Sequence, residues 1–169
     1  MDAYEKLIKT NSVDDTIKSG ENFAKSLKSD TVVLFYGDMG AGKTHFVKGM
    51  AMGLSITDNV TSPTFSLVNE YFGELSKLIH FDLFRIKTAD DLYAIGFFDY
   101  IGKGKQEISP KDGLCSSAGR ILTTDRGIIA IEWAENVPEL KNELTEYYTV
   151  KIERIADNER NITIAYSRT

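Results

Sequence analysis

Apolar positions along the chain alternate between two periods. From Ser12 onward, Val13, Ile17, Ala24 and Leu27 recur at near-helical spacing, and Ser12 followed by Asp15 resembles a capping box; together they predict a first helix of roughly 15 residues. Residues 31–36 then read TVVLFY, a continuous β-branched and aromatic run between Asp30 and Gly37, as in a strand buried on both faces. Helical spacing returns with Phe46, Val47, Met50, Ala51 and Leu54, which puts Lys43 and Thr44 in the first turn of a second helix and Gly53 at its end.

Two further strand-like runs, 65–71 and 77–81, flank a segment containing Gly73 and predict an antiparallel hairpin. Thr88 and Asp91 repeat the capping-box spacing at the head of a short helix that Gly96 can close. Residues 102–126 mix Gly, Ser and Lys with Pro110, Asp112 and Gly113 without a sustained period, the pattern of an inserted surface loop. Residues 128–131 form another buried run, ending in Glu132 and Trp133. Tyr148, Val150 and Ile152, then Ile162, Ile164 and Tyr166, alternate around a polar turn as a carboxy-terminal hairpin. Strands interleaved with helices predict a single α/β domain over residues 1–169, three-layered, on a mixed, mostly parallel sheet with antiparallel hairpins.

Composition narrows the partners. The chain has 169 residues, 42% hydrophobic and 27% charged, which suits one globular domain. No apolar run approaches the roughly 20 residues needed to span a bilayer, and the first ten residues lack a basic start and apolar centre, so no membrane contact and a cytoplasmic location are expected. A net charge of -5 should repel a phosphate backbone, which argues against DNA and leaves any contact with RNA to a partner. Cys115 is the only cysteine, without a CxxC or CxxH neighbour, and is read as incidental.

The chemistry starts at residues 37–44. GDMGAGKT fits G-x-x-x-x-G-K-[ST], in which backbone N–H groups wrap phosphates, the lysine reaches the β and γ positions and the hydroxyl binds Mg2+. The residues around the anion are Asp38, Met39, Gly40, Ala41, Gly42, Lys43 and Thr44, and the following helix adds roughly half a positive charge at its start. This places the motif where it has meaning, between a buried strand and an amphipathic helix, and predicts a P-loop NTPase that binds a nucleotide with Mg2+. Glu132 ends an apolar strand, where a second acidic group can approach Mg2+ directly or through a water. Asp82, after the run 78–81, fits either a structural partner or a water-positioning group. Residues 61–64, TSPT, form a hydroxyl-rich turn held by Pro63, suited either to sensing a γ-phosphate or to plain rigidity. Trp133 and Phe65 fit a nucleotide-side or partner surface, or the core, which is the commoner fate of aromatic residues. His45 reads as an exposed helix residue and His80 as a packed strand-end residue.

GDMGAGKTHFVKGMAMGL, TSPTFSLVNEY, HFDLFR, DDLYAIGFFDY and IEWAENV occur in this order, and the series resembles the TsaE (YjeE) family of ATPases that assist threonylcarbamoyl modification of adenosine in tRNA. The resemblance implies that Lys43 and Thr44 hold phosphate and Mg2+, that Glu132 is the second metal-side residue and that Asp82 is required for activity. It further implies that Trp133 lies beside the site, that Ser12 and the residues up to Thr16 approach adenine, and that the turn 158–160 closes over it. The partners it implies are TsaD and TsaB, with tRNA reached through their complex. This chain departs from the family pattern at His45, where threonine is usual, and in a longer connection between Tyr100 and Ile128. The resulting expectation is a weak, partner-dependent ATP hydrolase. The alternatives are a small-molecule kinase, which needs an arginine-rich lid, and a nucleotide-dependent interaction module with incidental hydrolysis.

Overall fold

The computed structural model describes residues 5–74, 76–102 and 127–168. Among them, seven strands form one sheet: β1 (Glu5–Thr10), β2 (Val32–Tyr36), β3 (Val68–Phe72), β4 (Lys77–Asp82), β5 (Ile128–Glu132), β6 (Glu146–Arg154) and β7 (Arg160–Arg168), in the order β1-β7-β6-β2-β5-β4-β3. β2 runs parallel to both β5 and β6, and β4 is parallel to β5. The pairs β1–β7, β6–β7 and β3–β4 are antiparallel. Parallel and antiparallel ladders are therefore equal in number among the described residues. The expected mostly parallel sheet is corrected on this point, because hairpins extend the parallel centre at both edges.

Each face of the sheet has its own core. Along β2, Val33 and Phe35 join the cluster with Phe23, Phe46 and Met50, while Val32 and Leu34 join the cluster with Phe81, Phe97 and Leu140. This is why TVVLFY carries no polar alternation. The first face is covered by α1 (Val13–Ala24) and α2 (Lys43–Gly53). The second is covered by α3 (Ala89–Ala94), α4 (Phe97–Tyr100) and the 3-10 turns Ala134–Asn136 and Pro138–Glu143. The three layers follow from that arrangement.

Local signals explain the element ends. Ser12 caps α1, its Oγ accepting from the Asp15 N–H at 3.0 Å, and the Asp15 carboxylate accepts from the Asn11 N–H at 3.0 Å. Thr88 and Asp91 form a reciprocal capping box on α3, and Gly96, at φ 69°, lets the chain turn into α4. The two long helices meet backbone to backbone. A Cβ on Gly49 would lie 1.9 Å from the Ile17 carbonyl oxygen, and one on Gly20 would lie 2.1 Å from that of Phe46. Only hydrogen fits at either place.

Two features differ from what the sequence predicts. The first strand of the hairpin is β3, beginning at Val68 and not at residue 65, because the chain turns through Leu67 at φ 66°. Phe65 is 90% exposed and is no part of the core. β1 is an unpredicted edge strand: it offers little apolar signal of its own and is held by its register with β7, from Glu5 opposite Ala165 to Thr10 opposite Arg160. The insertion expected at 102–126 lies, apart from Gly102, outside the described residues, as does Cys115.

Candidate functional site

β2, β4 and β5 are parallel neighbours whose carboxyl ends share one edge of the sheet. In open α/β sheets that edge is where ligands bind. From it β2 leads into the glycine loop, β4 ends at Asp82 and β5 ends at Glu132. These features border a cleft of about 310 Å3 lined by Gly40, Lys43, Thr44, Thr64, Asp82, Glu132 and Trp133, among others. Asp38 and Met39 are exposed, Met39 on the cleft wall, and Ala41 is buried beneath the loop.

The loop adopts the conformation its glycines permit: Gly37, Gly40 and Gly42 all have positive φ, at 138°, 76° and 112°. Gly42 precedes Lys43, the first residue of α2, so the helix's unpaired N–H groups face the loop, an arrangement that can cradle an anion. The Lys43 ammonium donates to the carbonyl oxygens of Gly37 and Asp38, the second at 3.0 Å, and lies 3.7 Å from the centroid of the Trp133 ring. Burial pushes this ammonium below the ordinary lysine range, against the opposing pull of Glu132, Glu135, Asp82 and Asp38. Trp133 reaches it because its own backbone is left-handed, φ 60°, which turns the chain sharply after β5 and sets the indole against Phe84, ring centroids 5.0 Å apart and planes tilted by 58°.

Two carboxylates stand side by side. Asp82 and Glu132 are register partners in the β4–β5 ladder, and both are almost fully buried. Glu132 Oε1 accepts from the Thr44 hydroxyl at 2.8 Å and is hydrogen-bonded to His80 Nε2, also at 2.8 Å. Asp82 Oδ2 accepts from Ser62 Oγ at 2.8 Å and Thr64 Oγ1 at 2.7 Å, and its Oδ1 takes the Phe84 N–H at 2.9 Å. The TSPT turn is thereby tied to Asp82, which accounts for the hydroxyls of Ser62 and Thr64. Among the described residues no group of three or more His, Cys, Asp or Glu forms a metal cage. Thr44 and Glu132, already in contact, are the oxygen donors that fit a hard divalent cation, which takes few protein carboxylates and retains waters.

The remaining predicted residues fall as follows. Ser12 caps α1 beside the loop: a Cβ on Gly42 would lie 3.7 Å from Thr16 Cγ2, so the α1 start and the loop are adjacent. The same point lies 3.3 Å from Arg160 Nε, which donates to the Ala41 carbonyl at 3.0 Å. Arg85, the arginine nearest the motifs in sequence, is exposed. His45 is exposed and His80 fully buried, as expected. What sequence reasoning missed is the bond from His80 to Glu132, for which the only cue was a polar residue two positions before Asp82 in an otherwise apolar strand.

Fold and cleft define a class: a mixed α/β protein in which a strand, a glycine loop and a helix form an anion cradle flanked by two strand-end carboxylates. Residues 10–109 match the family model described as "Threonylcarbamoyl adenosine biosynthesis protein TsaE". The chain belongs to the TsaE family. It is 37% identical over 155 residues to the tRNA threonylcarbamoyladenosine biosynthesis protein TsaE of Treponema pallidum, covering 91% of this chain and 96% of the relative. With its Aquifex aeolicus namesake it shares 43% identity over 95 residues, 55% of this chain and 67% of the relative. A crystal structure of Bacillus subtilis YdiB superposes with a TM-score of 0.67 at 26% identity, covering 98% of this chain and 87% of that one.

Proposed function

We propose that the protein is a P-loop ATPase that hydrolyses ATP with Mg2+ and thereby supports the TsaD–TsaB enzyme complex in forming N6-threonylcarbamoyladenosine in tRNA. The observation that carries this reading is the 2.8 Å contact between Thr44 and Glu132, which joins the last residue of the glycine motif to the end of β5. Such a hydroxyl–carboxylate pair is what a phosphate-bound magnesium requires beside it. The family membership and the printed names of the relatives support the role in tRNA modification.

The chain's residues divide the work. The N–H groups from Asp38 to Thr44, apart from that of Ala41, which donates to the Asp38 carbonyl at 3.1 Å, bind the phosphate chain, and the Lys43 ammonium exchanges the carbonyls of Gly37 and Asp38 for phosphate oxygens. Thr44 and Glu132 would hold the metal, which when bound would supply positive charge to the phosphates. Asp82, clamped by Ser62 and Thr64, orients the attacking water. That water's oxygen bonds the γ-phosphorus as the bond to the bridging oxygen breaks, giving ADP and phosphate. Ser12 and Arg160 flank the loop on the side assigned to the adenine. Intrinsic turnover is slow in this account, because Arg85 is exposed and Arg160 is engaged with the Ala41 carbonyl, so neither contacts the cleft centre.

Reconstitution tests the reading. Threonylcarbamoyl transfer to tRNA by TsaD and TsaB is measured with and without this protein and ATP. Stimulation that disappears with Asp82→Ala supports an ATPase role; stimulation that survives it supports a binding module. A phosphorylated metabolite in place of free phosphate would identify a kinase.

A further inference from the structure

The α2-facing side of β4 reads Leu78, His80, Asp82, and that of β5 reads Ile128, Ala130, Glu132. Each strand passes from apolar to acidic, and His80 sits at the boundary. Its ring is completely buried and its register partner on β5 is Ala130. A small residue there leaves room for the imidazole to lean across to the next residue on that face, Glu132, a diagonal within reach of a long side chain.

The bond has a definite sense. Serving as the metal-side carboxylate, Glu132 accepts, so Nε2 carries the hydrogen and donates across 2.8 Å. Nδ1 is buried and has no hydrogen-bond partner among the described residues. The imidazole is thus tethered at one nitrogen alone, and its one polar contact is spent on Glu132. Thr44 donates to the same oxygen, Oε1. No hydrogen bond among the described residues reaches Oε2.

We infer that His80 is a positioning residue for magnesium: by holding Oε1 of Glu132, it fixes the carboxylate so that Oε2 is presented to the metal or to a water on it. Outer partners that orient a ligating group typically govern metal affinity or activity by about 10- to 100-fold. The inference rests on Glu132 serving as the metal-side carboxylate. His80 does not line the cleft, so it acts only through Glu132.

The test uses the full-length protein and a fluorescent ATP analogue, titrated at a series of Mg2+ concentrations and again in chelator. His80→Leu is expected to raise the Mg2+ concentration needed for half-maximal tightening by about 10-fold or more, with metal-free nucleotide affinity unchanged. His80→Gln, whose amide nitrogen stands near the position of Nε2, is expected to restore most of the metal response; His80→Asn, whose nitrogen stands near that of Nδ1, is not. The Gln and Asn variants carry the comparison should the leucine variant fail to fold. A metal response equal to wild type in Leu and Asn overturns the inference, and so does equal loss in Gln and Asn. A wild-type chain whose nucleotide affinity ignores Mg2+ overturns the metal reading of Glu132 as well, which separates the two failures.

Discussion

Asp82 and Glu132 stand directly opposite one another as the last register pair of the parallel β4–β5 ladder, and each carboxylate is held by a different set of donors. Glu132 is tied to α2 through Thr44, and Asp82 to the TSPT turn through Ser62 and Thr64. Adjacent acids with separate supports can take separate duties.

Their variants should therefore diverge. Asp82→Ala is expected to lower ATP turnover by about 10²- to 10⁴-fold, the usual weight of a positioned acid–base group, with MgATP affinity close to wild type. Glu132→Ala is expected to weaken magnesium-dependent nucleotide affinity by about 100-fold or more, at or beyond the upper end of what losing an outer partner of a metal ligand costs. Turnover and calorimetric affinity measured on both proteins check this; identical profiles would merge the two roles.

Trp133 is the only tryptophan in the chain, and the Lys43 ammonium lies against its ring. ATP should draw the ammonium toward phosphate and so change the indole's emission, whereas Lys43→Met should abolish that change. A fluorescence titration reads this directly. Emission that does not respond while calorimetry records ATP binding would show that Lys43 keeps its place on the ring.

Lys43 also gives the ligand-free protein a pH dependence. Its ammonium is disfavoured by burial, so the folded chain releases this proton at lower pH than the unfolded chain, whose lysine keeps the ordinary value of 10.5. Between those two values the unfolded state binds more protons, and stability rises with pH; below the window the penalty is present in full. Lys43→Met should raise the melting temperature most near neutral pH, with the advantage shrinking as pH climbs through the window. Parallel melting curves across pH would contradict this.

The α1–α2 contact predicts a contrast between two glycines. Gly49→Ala forces a methyl group against the Ile17 carbonyl and should cost about 3 kcal/mol or more in urea unfolding, at or beyond the upper end of ordinary overpacking. Gly40→Ala meets nothing within 4 Å and should cost only its left-handed backbone, about 1–2 kcal/mol. Equal losses would mean that the helix backbones can separate at little cost.

Much of this architecture was legible in the sequence because it is encoded locally. TVVLFY announced β2, GDMGAGKT the loop, and Ser12, Thr88 and Gly96 the helix ends. β1 escaped because its placement comes from pairing with β7, 150 residues later, and not from its own pattern. Periodicity starts β3 at residue 65 instead of Val68 because it does not see the turn at Leu67. The donors on Asp82 and Glu132 became visible only when strand register placed residues that are distant in the chain on one edge, as with Thr44 and Glu132, 88 positions apart.

The central claim, that residues 37–44 with Asp82 and Glu132 form a working ATPase site, is tested most directly by single-turnover conversion of ATP by the purified protein in magnesium buffer with TsaD and TsaB present. The account predicts release of ADP and free phosphate, lost in Lys43→Ala. Failure of the wild-type protein to bind ATP and release phosphate under those conditions would contradict it.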